Sequence, residues 1–249
     1  MATAPSASTF ASILRAEGVT VVEVSGWKTR NRNHKGPWGP VHGVMIHHTV
    51  TSGSKRTVDI CRDGHPSLPG PLCHGVITKD GRVHLVGYGR TNHAGMGDDD
   101  VLRAVIAEQK LPADNETSTD GNRHFYGFEC ENLGDGKDPW PDVQLEAIER
   151  ASAAICRYHG WTERSVIGHL EWQPGKVDPR GFGMDWMRGQ IRDRLKPTTA
   201  YTVARGDTLW SIAASKLGNG NRWHEIAEIN ALADANDIYI GQTLRLPKK

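Results

Sequence analysis

The chain has 249 residues, 37% of them hydrophobic and 24% charged, with a formal net charge of +1. That length exceeds the usual single domain, so two domains of unequal size, each with an apolar core, are the natural expectation. The near-zero charge and the lack of a dense Lys/Arg run argue against nucleic acid or an anionic membrane as main partner, and no stretch approaches the roughly 18 apolar residues of a membrane span.

Residues up to about Ser8 read as a disordered start, with no basic segment followed by an apolar one and hence no legible secretory signal. Residues 9–17 suit a short helix closed by Gly18, and the β-branched run 19–24 suits a strand. Residues 27–40, rich in Asn, Gly, Pro and basic side chains, read as a loop. Residues 41–48 form an apolar run ending in His47 and His48, as a buried strand would. Residues 73–77 and 83–86 flank Asp80-Gly81, the strongest hairpin turn signal in the chain. Asp98-Asp99-Asp100 suits a helix N-cap region ahead of residues 101–110 better than a calcium site.

Residues 126–131 predict another strand, whose period of two places Glu129 and Glu131 on one face. Leu145, Ile148, Ala151, Ile155 and Tyr158 recur at helical spacing, with Asp142 as N-cap and Gly160 just past the end. A short strand at 165–168 and a last helix at 184–195 follow. Strands alternating with helices, plus hairpins, predict an α/β domain on a mixed sheet flanked by helices. After a compact linker at 196–200, residues 201–249 predict a small βααβ unit, with Asp207 capping the first helix and Asn221 opening the second. Its core is expected to contain Trp210, Ile212, Trp223, Ile226, Ile229 and Leu244. Cys61, Cys73, Cys130 and Cys156 are widely spaced without a CxxC pair, which favours buried free thiols and leaves two bridges open.

Chemistry concentrates in His169-Leu170-Glu171-Trp172-Gln173-Pro174-Gly175-Lys176-Val177-Asp178-Pro179, where a histidine at a strand end is followed by a loop that returns a lysine and an aspartate. Alone, such a segment is as readily structural. A second histidine from residues 44–49 changes its value, because two His and one Asp satisfy the three-ligand demand of a catalytic zinc. There is no HExxH motif, so spacing by itself does not establish a metal site.

Five ordered segments resemble the N-acetylmuramoyl-L-alanine amidase family that includes phage T7-type lysozyme, AmpD and the peptidoglycan recognition proteins. They are Ile46-His47-His48-Thr49, Lys79-Asp80-Gly81, Asn92-His93-Ala94-Gly95, Tyr126 to Asn132, and His169 to Pro179. The resemblance implies His47, His169 and Asp178 as zinc ligands, Lys176 as the oxyanion-stabilising lysine and Glu129 as general base, with Glu131 competing on the same face. T7-type members place a tyrosine where this chain has Cys73, a departure that favours Glu129. A thiol hydrolase built on Cys73 and His74 lacks a third orienting group. His48 reads as a locally bonded neighbour, and His93 as lining the substrate groove or stabilising its loop.

The C-terminal unit resembles LysM through Tyr201-Thr202-Val203, Gly206-Asp207-Thr208-Leu209-Trp210, Ile226, Asn230 and Gly241-Gln242-Thr243-Leu244. That implies binding of N-acetylglucosamine-containing glycan between Gly206, Asp207, Thr208 and Leu209 and the stretch before Gly241. The organisation expected is an extension at 1–40, a zinc amidase domain at 41–195, a linker and LysM. The expected function is Zn²⁺-dependent hydrolysis of the amide between N-acetylmuramic acid and L-alanine of peptidoglycan by a monomer. A binding-only recognition protein is the alternative, and a muramidase would need a flanking carboxylate pair that is not recognisable. Without a legible leader, the expected route is cytoplasmic synthesis followed by holin-type release or non-classical export to the wall, as in a phage endolysin, a prophage or an actinobacterial relative.

Overall fold

Three adjacent parallel strands decide where the chemistry can be. Strand β2 (Gly43–His48) is buried at every position, as expected of a strand covered on both faces. Strand β5 (Phe125–Cys130) pairs with it in parallel and sets Glu129 opposite His47. Strand β6 (Val166–Gly168) lies on the other side of β2, with Gly168 opposite Ile46. Strands β3 (Gly75–Ile77) and β4 (Val83–Leu85) form the hairpin anticipated at Asp80-Gly81. There Gly81 adopts φ 77°, and a Cβ would sit 2.6 Å from the Val143 carbonyl oxygen. Strand β1 (Val21–Glu23) closes the edge, parallel to β4. The six-stranded sheet runs β1-β4-β3-β5-β2-β6 with one antiparallel pair, the mixed sheet expected.

This computed structural model describes residues 2–196, 199–230, 232 and 234–247. Pro197 and Thr198 of the expected linker lie outside them. The chain divides into two compact units, Met1–Arg192 and Asp193–Lys249.

From Ala2 onward the first residues described are ordered, contrary to expectation. Ser6 caps helix α1 (Ala7–Ala16) by accepting from the Thr9 amide, and the Pro5 carbonyl accepts from the Tyr88 hydroxyl. Phe10, Ala11 and Leu14 then bury one face of the helix. Burial of those side chains offsets the entropy of ordering a segment whose small polar composition reads as disordered. The loop 27–40 packs as well: Trp27 is fully enclosed with its Nε1 donating to Glu23, and the Trp38 ring lies 5.0 Å from that of His74.

Helix α2 (Ser54–Asp63) was not anticipated; only Thr57, Val58 and Cys61 are buried, too narrow a stripe to stand out in a polar segment. Helix α3 (Asp99–Ile106) is capped by Asp98, as expected, through the Asp100 and Val101 amides. Helix α4 (Asp142–His159) ends on left-handed Gly160, also as expected, but its N-cap is Pro141. Asp142 sits instead in the first turn, where its charge meets the positive end of the helix dipole. Helix α5 is Met184–Leu195. All four cysteines are free and buried. No helix among the described residues is long and apolar enough to cross a membrane.

The C-terminal unit is the βααβ fold anticipated: antiparallel β7 (Thr199–Thr202) and β8 (Thr243–Leu246) with α6 (Leu209–Ile212) and α7 (Trp223–Ile229) between them. Its core holds Val203, Leu209, Ile212, Leu217, Ile226 and Leu244. Trp210 and Trp223, expected inside, are exposed. In so short a helix Leu209 and Ile212 take the inward positions, and the Trp210 ring lies instead over Gly220, where a Cβ would approach it to 2.3 Å. Thr208, rather than Asp207, caps α6, exchanging hydrogen bonds with Ser211 in a capping box. Asp207 instead accepts from the Tyr201 hydroxyl and the Ala204 amide.

Candidate active site

In an open parallel sheet, ligands bind outside the carboxyl ends of the strands. Here β2 ends in His47-His48, β5 in Glu129-Cys130, and β6 runs straight into His169. Asp178 returns on the following loop, which is held by the Leu170 amide donating to the Asp178 carbonyl at 2.7 Å. The sequence spreads these groups over more than a hundred residues, and strand register gathers them at one edge.

The gathering is tight. His47 Nδ1 lies 3.0 Å from His169 Nδ1 and 3.0 Å from Asp178 Oδ2, and His169 Nδ1 lies 3.1 Å from the same oxygen. Both imidazoles are buried. Burial alone would raise the Asp178 carboxyl, yet hydrogen bonds with His169 and His47 hold it well below the usual carboxylate range. Burial lowers His47 to about 4, against the opposing pull of Asp178. A carboxylate oxygen and two imidazole nitrogens brought this close in a largely buried triangle make a site that a cation would stabilise. Donors about 2.0–2.1 Å from a tetrahedral zinc lie about 3.3–3.4 Å apart, so the observed triangle is within a few tenths of an ångström of that geometry. The donor set of two imidazole nitrogens and a carboxylate oxygen therefore fits zinc.

The triangle opens on a cavity of about 480 Å³ lined also by His93, Glu129, Gln173 and Lys176. Glu129 Oε2 is buried without a hydrogen-bond partner, and burial, with Cys61 and Asp178 nearby, pushes the carboxyl well above its ordinary value. Lys176 is exposed on the rim. Glu131, which the alternation of a strand would put beside Glu129, is occupied elsewhere. Its carboxylate accepts from the Gly53 amide at 2.8 Å, the Ser54 hydroxyl at 2.7 Å and the Lys79 amide at 3.3 Å, at the N-terminus of α2. Strand β5 ends at Cys130, so the pleat no longer dictates where Glu131 points.

His48 accepts from the Arg180 amide, the local role expected of it. Cys73 is fully buried, and burial and Cys61 push its thiol well up, so it supplies no thiolate. His93 lines the cavity, but its ring is buried with Nδ1 3.0 Å from His47 Nε2 and Nε2 3.2 Å from the Phe125 carbonyl. Two supports of this loop escaped the sequence reading. Asn122 Oδ1 accepts from the His93 and Ala94 amides, and Gly127 leaves room for the ring, since a Cβ there would lie 2.5 Å from it. The signal that could have found Gly127 is a glycine in the middle of a strand, which marks close approach. The carboxylates of Asp98, Asp99 and Glu116 also gather, but Asp98 is spent on the Asp100, Val101 and Asn115 amides.

In the C-terminal unit, Gly206 and Thr208 are exposed, Asp207 is half-buried and Leu209 turns into the core. Tyr239 and Ile240, just before Gly241, are both about two-thirds exposed, at 67% and 66%.

Two family models match separate parts of the chain. Residues 37–181 match the N-acetylmuramoyl-L-alanine amidase family model and residues 201–247 the LysM domain model. The N-acetylmuramoyl-L-alanine amidase XlyB of Bacillus subtilis (strain 168) is 25% identical over 173 residues, which are 63% of this chain and 53% of that protein. The chain thus matches about half the length of this curated relative. Among solved structures, the endolysin N-acetylmuramoyl-L-alanine amidase LysCS from Clostridium intestinale URNW has a TM-score of 0.46 at 15% identity, covering 69% of this chain and 94% of that one. AmpDh3 from Pseudomonas aeruginosa, in complex with anhydromuramic pentapeptide, has a TM-score of 0.46 at 16% identity, covering 80% and 74%. With a LysM domain following it, the region built on this sheet places the chain in the N-acetylmuramoyl-L-alanine amidase family.

Proposed function

We propose that the chain is a zinc-dependent N-acetylmuramoyl-L-alanine amidase that hydrolyses the amide between N-acetylmuramic acid and L-alanine of peptidoglycan, acting at the cell wall. The observation that carries this reading is the convergence of His47 Nδ1, His169 Nδ1 and Asp178 Oδ2 beside the unpartnered, buried Oε2 of Glu129. His47, His169 and Asp178 would hold the zinc, leaving the cavity side open for water and substrate. Zinc bound there supplies Lewis acidity, polarising the amide carbonyl and acidifying a water.

The protein's own groups do the rest. Glu129 takes the proton of the attacking water and returns it to the leaving nitrogen of L-alanine as the C–N bond breaks. The water oxygen stays with the lactyl group of the muramic acid as a carboxylate. The Lys176 ammonium, free to swing from the rim, meets the negative charge developing on the carbonyl oxygen. A single copy supplies all of these residues, so a monomer suffices. The LysM unit would hold N-acetylglucosamine-containing glycan through Gly206 to Leu209, with Tyr239 and Ile240 offering exposed apolar surface beside it. Leu209 would contribute backbone there, its side chain being buried.

Digestion of purified cell walls tests the reading. Free L-alanine amino groups should appear without new reducing sugar ends, chelation should stop their release, and added zinc should restore it. Asp178→Asn should lower the rate by at least about a hundredfold, of the order lost with an essential electrostatic group. Wall binding with no release of amino groups from zinc-loaded protein would make the chain a recognition protein instead, and new reducing ends would make it a muramidase.

A further inference from the structure

The Phe125 carbonyl oxygen can only accept a hydrogen bond, and that one constraint propagates through two histidines. His93 Nε2 lies 3.2 Å from it and must carry a proton. With its ring proton on Nε2, the His93 imidazole offers the lone pair of Nδ1. That lone pair faces His47 Nε2 at 3.0 Å, so His47 must donate from Nε2. Holding its proton on Nε2, His47 would turn the lone pair of Nδ1 toward a metal in the triangle with His169 and Asp178.

We propose that His93 is a positioning residue, which fixes the tautomer and ring orientation of His47 for zinc by relaying the acceptor character of the Phe125 carbonyl. The proposal rests on the zinc reading of the triangle. Its geometry is built rather than incidental. Asn122, itself buried, clamps the backbone on both sides of the His93 side chain by accepting from the His93 and Ala94 amides at 2.8 and 2.9 Å. Gly127 opens the space that the ring occupies, and Phe125 and Gly127 belong to the strand that pairs with the one carrying His47. Ligand, relay and acceptor thus share one rigid frame. With both ring nitrogens committed inside the protein, His93 has no polar atom left for substrate. Outer partners of this kind raise ligand basicity, and losing one typically weakens metal binding by about 10- to 100-fold.

Two substitutions separate the relay from bulk. His93→Phe keeps a ring against Gly127 but offers His47 no acceptor, whereas His93→Asn restores an oxygen at the position of Nδ1 without the full ring. Zinc affinity of the full chain, measured by competition with a chromophoric chelator, should fall about 10- to 100-fold in His93→Phe and recover substantially in His93→Asn. A role in packing alone predicts the reverse order, and that order, or wild-type affinity in His93→Phe, overturns the proposal. Nitrogen-15 imidazole spectra of the metal-free wild type give a second readout. His93 should be protonated at Nε2 and bare at Nδ1, and the opposite pattern also overturns the proposal. Should the wild type bind no zinc while these spectra show the expected tautomer, the zinc reading fails and the role assigned to His93 toward a metal falls with it. Tight zinc binding with the wrong tautomer removes the relay alone.

Discussion

Glu129 and Glu131 stand two residues apart, and the structure assigns them opposite consequences on removal. Glu131→Ala deletes an acceptor for the Gly53 amide, the Ser54 hydroxyl and the Lys79 amide. Hydrogen bonds to a charged group contribute about 1.5–3 kcal/mol each and do not add fully, so a loss of about 3–5 kcal/mol is expected. In a domain of this size 1 kcal/mol corresponds to about 2–4 °C, which makes the expected drop in melting temperature about 10 °C. Glu129→Gln removes a buried carboxyl whose Oε2 has no partner, so its melting temperature should match or exceed that of the wild type. Its amide hydrolysis should fall by about 10²–10⁴-fold, the usual worth of a general base. Thermal unfolding by circular dichroism, paired with amino-group release per folded molecule, measures both. If Glu131→Ala melts with the wild type while activity collapses, or if Glu129→Gln unfolds early, the assignment of roles is refuted.

Three further outcomes follow from particular contacts. Burial holds the His74 imidazole at about 4 against an ordinary 6.5, so the unfolded chain binds a proton there that the folded chain refuses. Stability on this account is full above pH 6.5 and falls by up to about 3 kcal/mol as the pH drops to 4; His74→Gln should flatten that fall in urea titrations, and an unchanged slope would contradict it. Asn230 ties the end of α7 to β8, donating to the Ile226 and Arg245 carbonyls and accepting from the Arg245 amide. Asn230→Ala should cost the C-terminal unit about 2–3 kcal/mol, seen as faster hydrogen exchange at Val203 and Arg245 with the amidase unit unaffected. Gly127→Ala would place a Cβ 2.5 Å from the His93 ring, and should weaken zinc binding about as much as His93→Phe while far-ultraviolet circular dichroism stays native. Wild-type affinity in that variant would show that the ring can shift without consequence.

Much of the site was legible because it depends on local chemistry. Two histidines at the ends of apolar runs, and an aspartate returned by a Pro/Gly loop, are visible as residue types in order, and the family resemblance joined them. The hairpin at Asp80-Gly81 and the stop at Gly160 were equally plain, since both are demands of local backbone geometry. Helix α2 was not legible, because one narrow buried stripe in a polar segment carries little periodic signal. Nor were the ordered start of the chain and the outward-facing Trp210 and Trp223, which depend on what packs against them.

By itself, the sequence determined most of the strand and helix pattern, the order of two histidines and an aspartate along the chain, and the likeness to amidase and LysM. Tertiary structure alone decided which carboxylate faces the cavity, which residue caps α6, and where the two nitrogens of His93 go. The reason is that periodicity reports which face of an element a side chain occupies, but not the partner waiting across from it. Glu129 meets an open cavity while Glu131 meets the N-terminus of α2, and that difference comes from a helix more than 60 residues away in the chain.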